Sequence, residues 1–161
     1  MIASIIRMLD SRAFGKNVKL MAKCEKNIPP LYADQRLMRQ IFINLAGNAV
    51  KFSESNSTVI IEAAIQPDGD LCIAVIDEGI GIPSDKIDQA LEPFGQINER
   101  AENAQNQGTG LGLPLAKAMV DLHGGTLDIQ SEEGEGTTVY VTLPARRLVP
   151  EKDKQPLAEK R

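Results

Sequence analysis

In the first fourteen residues Ile2, Ile5, Ile6 and Leu9 recur at helical spacing, which predicts a helix that stops at Gly15. A short strand is predicted at 18-VKLMA-22. The strongest helical pattern runs from Asp34 to Phe52. At about 100° per residue, Met38, Ile41, Phe42, Leu45 and Ala49 fall on one side, and Asp34 can cap the start. Two strands, 58-TVIIEAAI-65 and 71-LCIAVID-77, flank the turn residues 67-PDGD-70. The second opens with an unbroken apolar run, as expected of a central strand.

Past Gly95 the pattern breaks. The stretch 95-GQINERAENAQNQG-108 has almost no apolar periodicity and is predicted to be a long functional loop. A helix over 111–122 follows, ending at His123-Gly124-Gly125. Strands at 126-TLDIQ-130 and 137-TTVYVTL-143 come next. The charged tail 145–161 has little to bury and is expected to lack fixed structure. No internal repeat is present. Helices and adjacent strands alternate without a regular βαβ order, which favours an α+β two-layer sandwich.

The totals narrow the function. A chain of 161 residues suggests one domain with a real core. Aromatic residues are 4% of the chain and Trp is absent, so stacking platforms for bases are not supported. A net charge of −4 also argues against binding a nucleic-acid backbone. Cys24 and Cys72 form no CxxC pattern, which suits a reducing, cytoplasmic compartment, and one histidine makes a structural zinc site untenable. No apolar run approaches the ~18 residues of a membrane span, so no direct membrane contact is expected.

Four clusters could carry chemistry. On the long helix, Asn44, Asn48 and Lys51 form a polar stripe beside the apolar one. A solvated face is the ordinary reading of such a stripe. Asn is a poor mid-helix residue, however, and its amide oxygen suits Mg²⁺ while Lys suits phosphate. The second cluster, 77-DEGIGIP-83, follows the central strand. It could be only a turn, but a carboxylate at the end of an apolar strand needs a donor. The third, 108-GTGLGL-113, lacks the GK[ST] of a P-loop and does not follow a strand as a dinucleotide fingerprint would. Its backbone N–H groups at a helix start could face an anion. The fourth, 134-GEGTT-138, reads as a hairpin turn that could bring Thr137 beside Asp77.

In this order and spacing the clusters resemble the catalytic ATP-binding domain of bacterial sensor histidine kinases, within the superfamily of gyrase, Hsp90 and MutL. NLAGNAVKFS (44–53) looks like the N box, DEGIGI (77–82) the G1 box, EPFG (92–95) the F box and GTGLGL the G2 box, followed by HGG and GEGTTV. The resemblance covers about residues 10–144. It implies a Bergerat-type fold, a mixed β-sheet with helices packed on one face, with ATP and Mg²⁺ as cofactors. Asp77 would accept a hydrogen bond from the adenine amino group, helped by Thr137 through a water. Gly79, Gly81 and Ile82 would shape the adenine pocket. Asn48 would bind the metal, and Asn44 and Lys51 would line the same face. Residues 95–110 would form a lid, with Gly108, Thr109, Gly110, Leu111 and Gly112 near the phosphates and Arg100 as a candidate contact to the γ-phosphate.

Hydrolases of this superfamily carry a Glu four residues before the metal-binding Asn, as a base for water. Here Asn44 stands there, and an amide accepts a proton poorly. The resemblance therefore implies a phosphotransferase. Its partners would be a dimerisation domain that supplies the phosphoacceptor histidine, and a response regulator. The isolated domain is expected to be monomeric. His123 sits at a helix end in DLHGGTL, and its expected role is structural. Residues 1–14 are expected to be the end of the dimerisation helix, and the chain a piece of a larger kinase. A gyrase-like ATP-driven machine, a serine kinase related to anti-sigma factors and a pseudokinase are the alternatives.

Overall fold

The computed structural model describes residues 1–95 and 110–149. Helix α1 (Ile2–Gly15) leads into β1 (Lys19–Cys24), then α2 (Gln35–Phe52), β2 (Thr58–Ile65) and β3 (Leu71–Asp77). A 3-10 turn (Ser84–Lys86) and the short α3 (Ile87–Ala90) follow β3. Helix α4 (Gly112–Leu122), β4 (Thr126–Glu132), β5 (Gly136–Leu143) and a 3-10 turn (Ala145–Arg147) complete the order.

The strands form one mixed sheet in the order β1-β2-β3-β5-β4. Only β1 and β2 run parallel, joined by the α2 crossover. The other pairings are antiparallel. Side chains alternate across a strand, so directly paired residues share a face. One face therefore carries apolar rows such as Ala63–Ile73–Val141–Leu127 and Ile61–Val75–Val139–Ile129. All of these are buried except Ile129, which packs against the core at its edge. This is the two-layer arrangement expected from the sequence.

Helix α2 is the central helix of the other layer. Met38, Ile41, Phe42, Leu45 and Ala49, the predicted apolar side, are all buried. Ala46, Gly47 and Val50 are buried as well, because α2 is flanked on two sides. A Cβ at Gly47 would stand 3.8 Å from the Arg12 guanidinium of α1, and one at Gly112 would stand 3.4 Å from the Asn48 amide. Asp34 caps the helix as expected, its carboxylate accepting from the N–H groups of Arg36 and Leu37 at 2.8 and 3.2 Å.

Two expectations need correction. Residues 1–14 were expected to be the end of a separate dimerisation helix. Ile5, Leu9 and Ala13 of α1 instead lie in the same core as the sheet, at 0%, 6% and 1% exposure. Their i, i+4, i+8 spacing makes an apolar stripe that this domain itself covers. The unstructured tail was expected to begin at residue 145. Residues 145–149 instead turn back onto the chain. Leu148 pairs with Leu31, and Val149 N–H donates to the Pro30 carbonyl at 2.8 Å. The two arginines of this turn hid an apolar pair that could still be buried. The rest of that tail, residues 150–161, lies outside the described residues.

Candidate functional site

The apolar rows of the sheet end in a polar one. Asp77 pairs with Thr137, and Thr137 pairs with Ser131, across β3, β5 and β4. These three side chains continue the core-facing rows at the edge of the helix layer. Asp77 is 9% exposed. Burial pushes its carboxyl up from 3.8 to about 6, and backbone bonds from Gly79 and Thr137 offset part of that rise. The Gly79 N–H donates to its Oδ1 at 2.9 Å. Among the described residues Asp77 enters no ion pair. A buried carboxylate held this way offers its free lone pairs to a neutral donor such as an exocyclic amine.

The loop after β3 is fixed from two sides. Gly79 bridges Ser53 at the end of α2, and Ile80 N–H donates to the Phe52 carbonyl at 3.3 Å. On the other side Gly134 N–H donates to the Ile80 carbonyl at 2.8 Å, and Ile82 N–H donates to Ser131 Oγ at 2.7 Å. Gly81 has φ +68°, and a Cβ there would run into the Glu132 carbonyl. Both the backbone conformation and the close approach thus require glycine at 81. At Gly79 a Cβ would come within 2.5 Å of the Phe52 carbonyl. The two glycines let the loop dock onto α2 and the hairpin, and this docking sets the floor of the pocket.

The second half of the site lies along α2. Asn44 Oδ1 accepts from Gln40 at 2.9 Å, and its amide N–H reaches the Gly112 carbonyl at 3.4 Å. Asn48 lies one turn on, against Gly112. Gly112 is therefore a packing glycine that lets α4 begin close to the asparagine stripe. Gly110, with φ +69°, accepts a hydrogen bond from Phe94 N–H at 3.2 Å, and Leu111 caps α4 from a half-exposed position. Lys51 sits at the far end of the stripe with its ammonium 4.7 Å from the Phe52 ring centre. Burial, and then the neighbouring Lys16, lower its pKa. The structure thus brings Asn44, Asn48, Gly110, Leu111 and Gly112 together, and separately Asp77, Gly79, Gly81, Ile82 and Thr137. Gly108, Thr109 and Arg100 lie outside the described residues, as does most of the expected lid.

Three participants were not foreseen. Ser131 joins the loop to the hairpin. The hairpin register would have revealed it, since strands at 126–130 and 137–143 around one turn place 131 opposite 137. Lys16 donates to the carbonyls of Val50, Lys51 and Ser53, so a cation closes the negative end of α2. Burial lowers its pKa. Phe52, 38% exposed, meets the pocket floor through its carbonyl, which accepts from Ile80 N–H.

His123 has the structural role expected of it. It is 4% exposed, with Nδ1 2.7 Å from the Met119 carbonyl and Nε2 accepting from Asp34 N–H at 3.2 Å. Both ring nitrogens are thereby used.

The site fits the ATP and Mg²⁺ that the resemblance implies. Asp77 provides a buried acceptor, and the hydroxyl of Ser53, the residue bridged to Gly79, is buried with no partner among the described residues. No group of three or more His, Cys, Asp or Glu among the described residues could hold a metal alone. An amide oxygen is a suitable hard donor, so Asn48 would hold Mg²⁺ in company with water and the phosphates of a nucleotide.

Comparison with known proteins gives the family and the fold. Residues 33–147 match the model of the histidine kinase-, DNA gyrase B- and HSP90-like ATPases. An uncharacterized sensor-like histidine kinase of Rhizobium meliloti is 42% identical over 144 residues, which is 89% of this chain and 27% of that protein. The cell-division control histidine kinase PdhS of Brucella canis is 36% identical over 92% of this chain and 15% of its own length. The chain thus spans roughly a quarter or less of these relatives. Among solved structures, full-length ShkA in complex with AMPPNP superposes with a TM-score of 0.78 at 28% identity, over 89% of this chain and 29% of that one. The nucleotide-free catalytic domain of histidine kinase ThkA gives 0.74 at 22% identity, over 89% and 90% of the two chains, a likeness of fold. No helix among the described residues is long and apolar enough to cross a membrane.

Proposed function

Because this chain belongs to the histidine kinase-, DNA gyrase B- and HSP90-like ATPase family, we propose that it is the catalytic ATP-binding domain of a sensor histidine kinase. It binds Mg-ATP and positions the γ-phosphoryl group for transfer to a histidine on a dimerisation domain, which passes it to an aspartate of a response regulator. The observation that carries this reading is the buried Asp77, in no ion pair among the described residues, at the head of a site whose other half is an asparagine stripe.

In this reading Asp77 accepts from the adenine amino group, with Thr137 beside it. Asn48 holds Mg²⁺, which supplies positive charge to the phosphate oxygens. Asn44 is bonded to Gln40 and Gly112 and provides no carboxylate to draw a proton from water. Phosphoryl transfer rests mainly on positioning and charge stabilisation, so a site without a general base can serve an external nucleophile. With both nitrogens of His123 committed inside the fold, the acceptor comes from elsewhere.

The test is phosphotransfer in trans. The chain, incubated with labelled Mg-ATP and a supplied histidine-kinase dimerisation domain, is expected to label that domain and to carry no acid-labile phosphate itself. Acid-labile label on this chain, or fast ATP hydrolysis without any acceptor, overturns the assignment.

A further inference from the structure

Ser131 Oγ has three polar neighbours. It accepts from Ile82 N–H at 2.7 Å, donates to the Gly136 carbonyl at 2.8 Å, and lies 2.8 Å from Thr137 Oγ1. A serine hydroxyl has one proton and two lone pairs. The Gly136 carbonyl can only accept, so it takes the proton. Ile82 N–H fills one lone pair. With the Ser131 proton on the Gly136 carbonyl, the 2.8 Å contact to Thr137 is a hydrogen bond only if Thr137 donates. The Thr137 proton is therefore directed away from the pocket, towards Ser131.

We propose that Ser131 is a positioning residue that sets base selectivity: by taking the Thr137 proton it leaves Thr137 Oγ1 as an acceptor beside Asp77, and the site then favours a 6-aminopurine nucleotide over a 6-oxopurine one. This deepens the nucleotide-site reading above and rests on it. Asp77 and Thr137 are direct partners across β3 and β5, so their acceptor atoms line one edge of the same pocket. Adenine meets that edge with an amino donor. Hypoxanthine meets it with a carbonyl oxygen, which sets lone pairs against lone pairs. A bridging water does not remove the difference. Once it donates to Thr137, its second proton can bond the bare N1 of adenine, a bond that hypoxanthine, protonated at N1, cannot accept. A Thr137 hydroxyl free to rotate could donate instead and would tolerate either base.

The experiment measures the affinities of the full chain for Mg-ADP and Mg-IDP, and the readout is their ratio. Wild type is expected to prefer Mg-ADP. Ser131→Ala is expected to reduce the preference about tenfold, as for the loss of one orienting hydrogen bond. Ser131→Thr keeps a hydroxyl and is expected to retain it. Thr137→Val leaves the other two Ser131 bonds in place and is expected to reduce the ratio as Ser131→Ala does, which decides the matter should Ser131→Ala fail to fold. A merely structural role would weaken both nucleotides alike, so an unchanged ratio in either variant overturns the inference. Failure of wild type to bind Mg-ADP is a different result: it overturns the nucleotide-site reading and this inference with it.

Discussion

The two halves of the site are built in different ways. The half that holds Asp77 is part of the sheet. Its residues are paired in register, and the loop above it is tied to α2 on one side and to the β4–β5 hairpin on the other. The half along α2 is a stripe on a helix, with longer side chains, partial exposure and contacts to the start of α4. The first half is preorganised, so little ordering is left for a ligand to impose. The second is completed by what binds there, since one amide cannot fill a magnesium shell.

Substitutions separate the halves. The largest effect is expected from Asp77→Asn, which replaces a charge-assisted acceptor by an amide. Calorimetry should show a loss of about 100-fold in ADP affinity, equal with and without Mg²⁺. Asn48→Ala should cost less, about tenfold, and only when Mg²⁺ is present. A magnesium-dependent defect in the first variant, or a magnesium-independent one in the second, would erase the division.

The smallest effect is a pH dependence of two signs from one carboxyl. Folded Asp77 titrates near 6, above its ordinary 3.8, so the folded chain holds this proton more tightly than the unfolded chain does. Its contribution to stability is therefore most favourable below 3.8 and declines as pH rises to about 6, then stays level. Adenine binding needs the ionised form and has the opposite slope. The ionised fraction falls about fourfold from pH 7 to pH 5.5, and ADP affinity should fall with it. Asp77→Asn should flatten both profiles, read by melting and by titration. A wild-type affinity that is level across pH 6 would remove Asp77 from the base contact.

The sequence foretold the preorganised half and the helical stripe unequally well. Apolar runs bounded by turn residues placed β2 and β3 to the residue, and helical spacing placed α2 with its cap, because each signal is local. The roles proposed for Asp77, Asn48 and Thr137 come from the order of motifs. The hairpin register offered the place of Ser131 opposite Thr137 but not its bond to Ile82, 49 residues away, and no local signal offered Lys16, whose partner Val50 lies 34 residues on. The α1 stripe was visible, but periodicity shows that a face is apolar and not what covers it. The 3-10 turn and α3 over 84–90 are too short to show a period.

The hydrogen bond from Phe94 to Gly110 has a consequence for variation in length. It joins two residues that stand sixteen positions apart in the sequence. The entropy of closing a chain grows only logarithmically, about 0.6 kcal/mol for each doubling. Insertions and deletions between those anchors are therefore cheap, and they need not disturb the register that pairs Asp77 with Thr137. Stability alone therefore sets no narrow limit on the number of residues between Phe94 and Gly110.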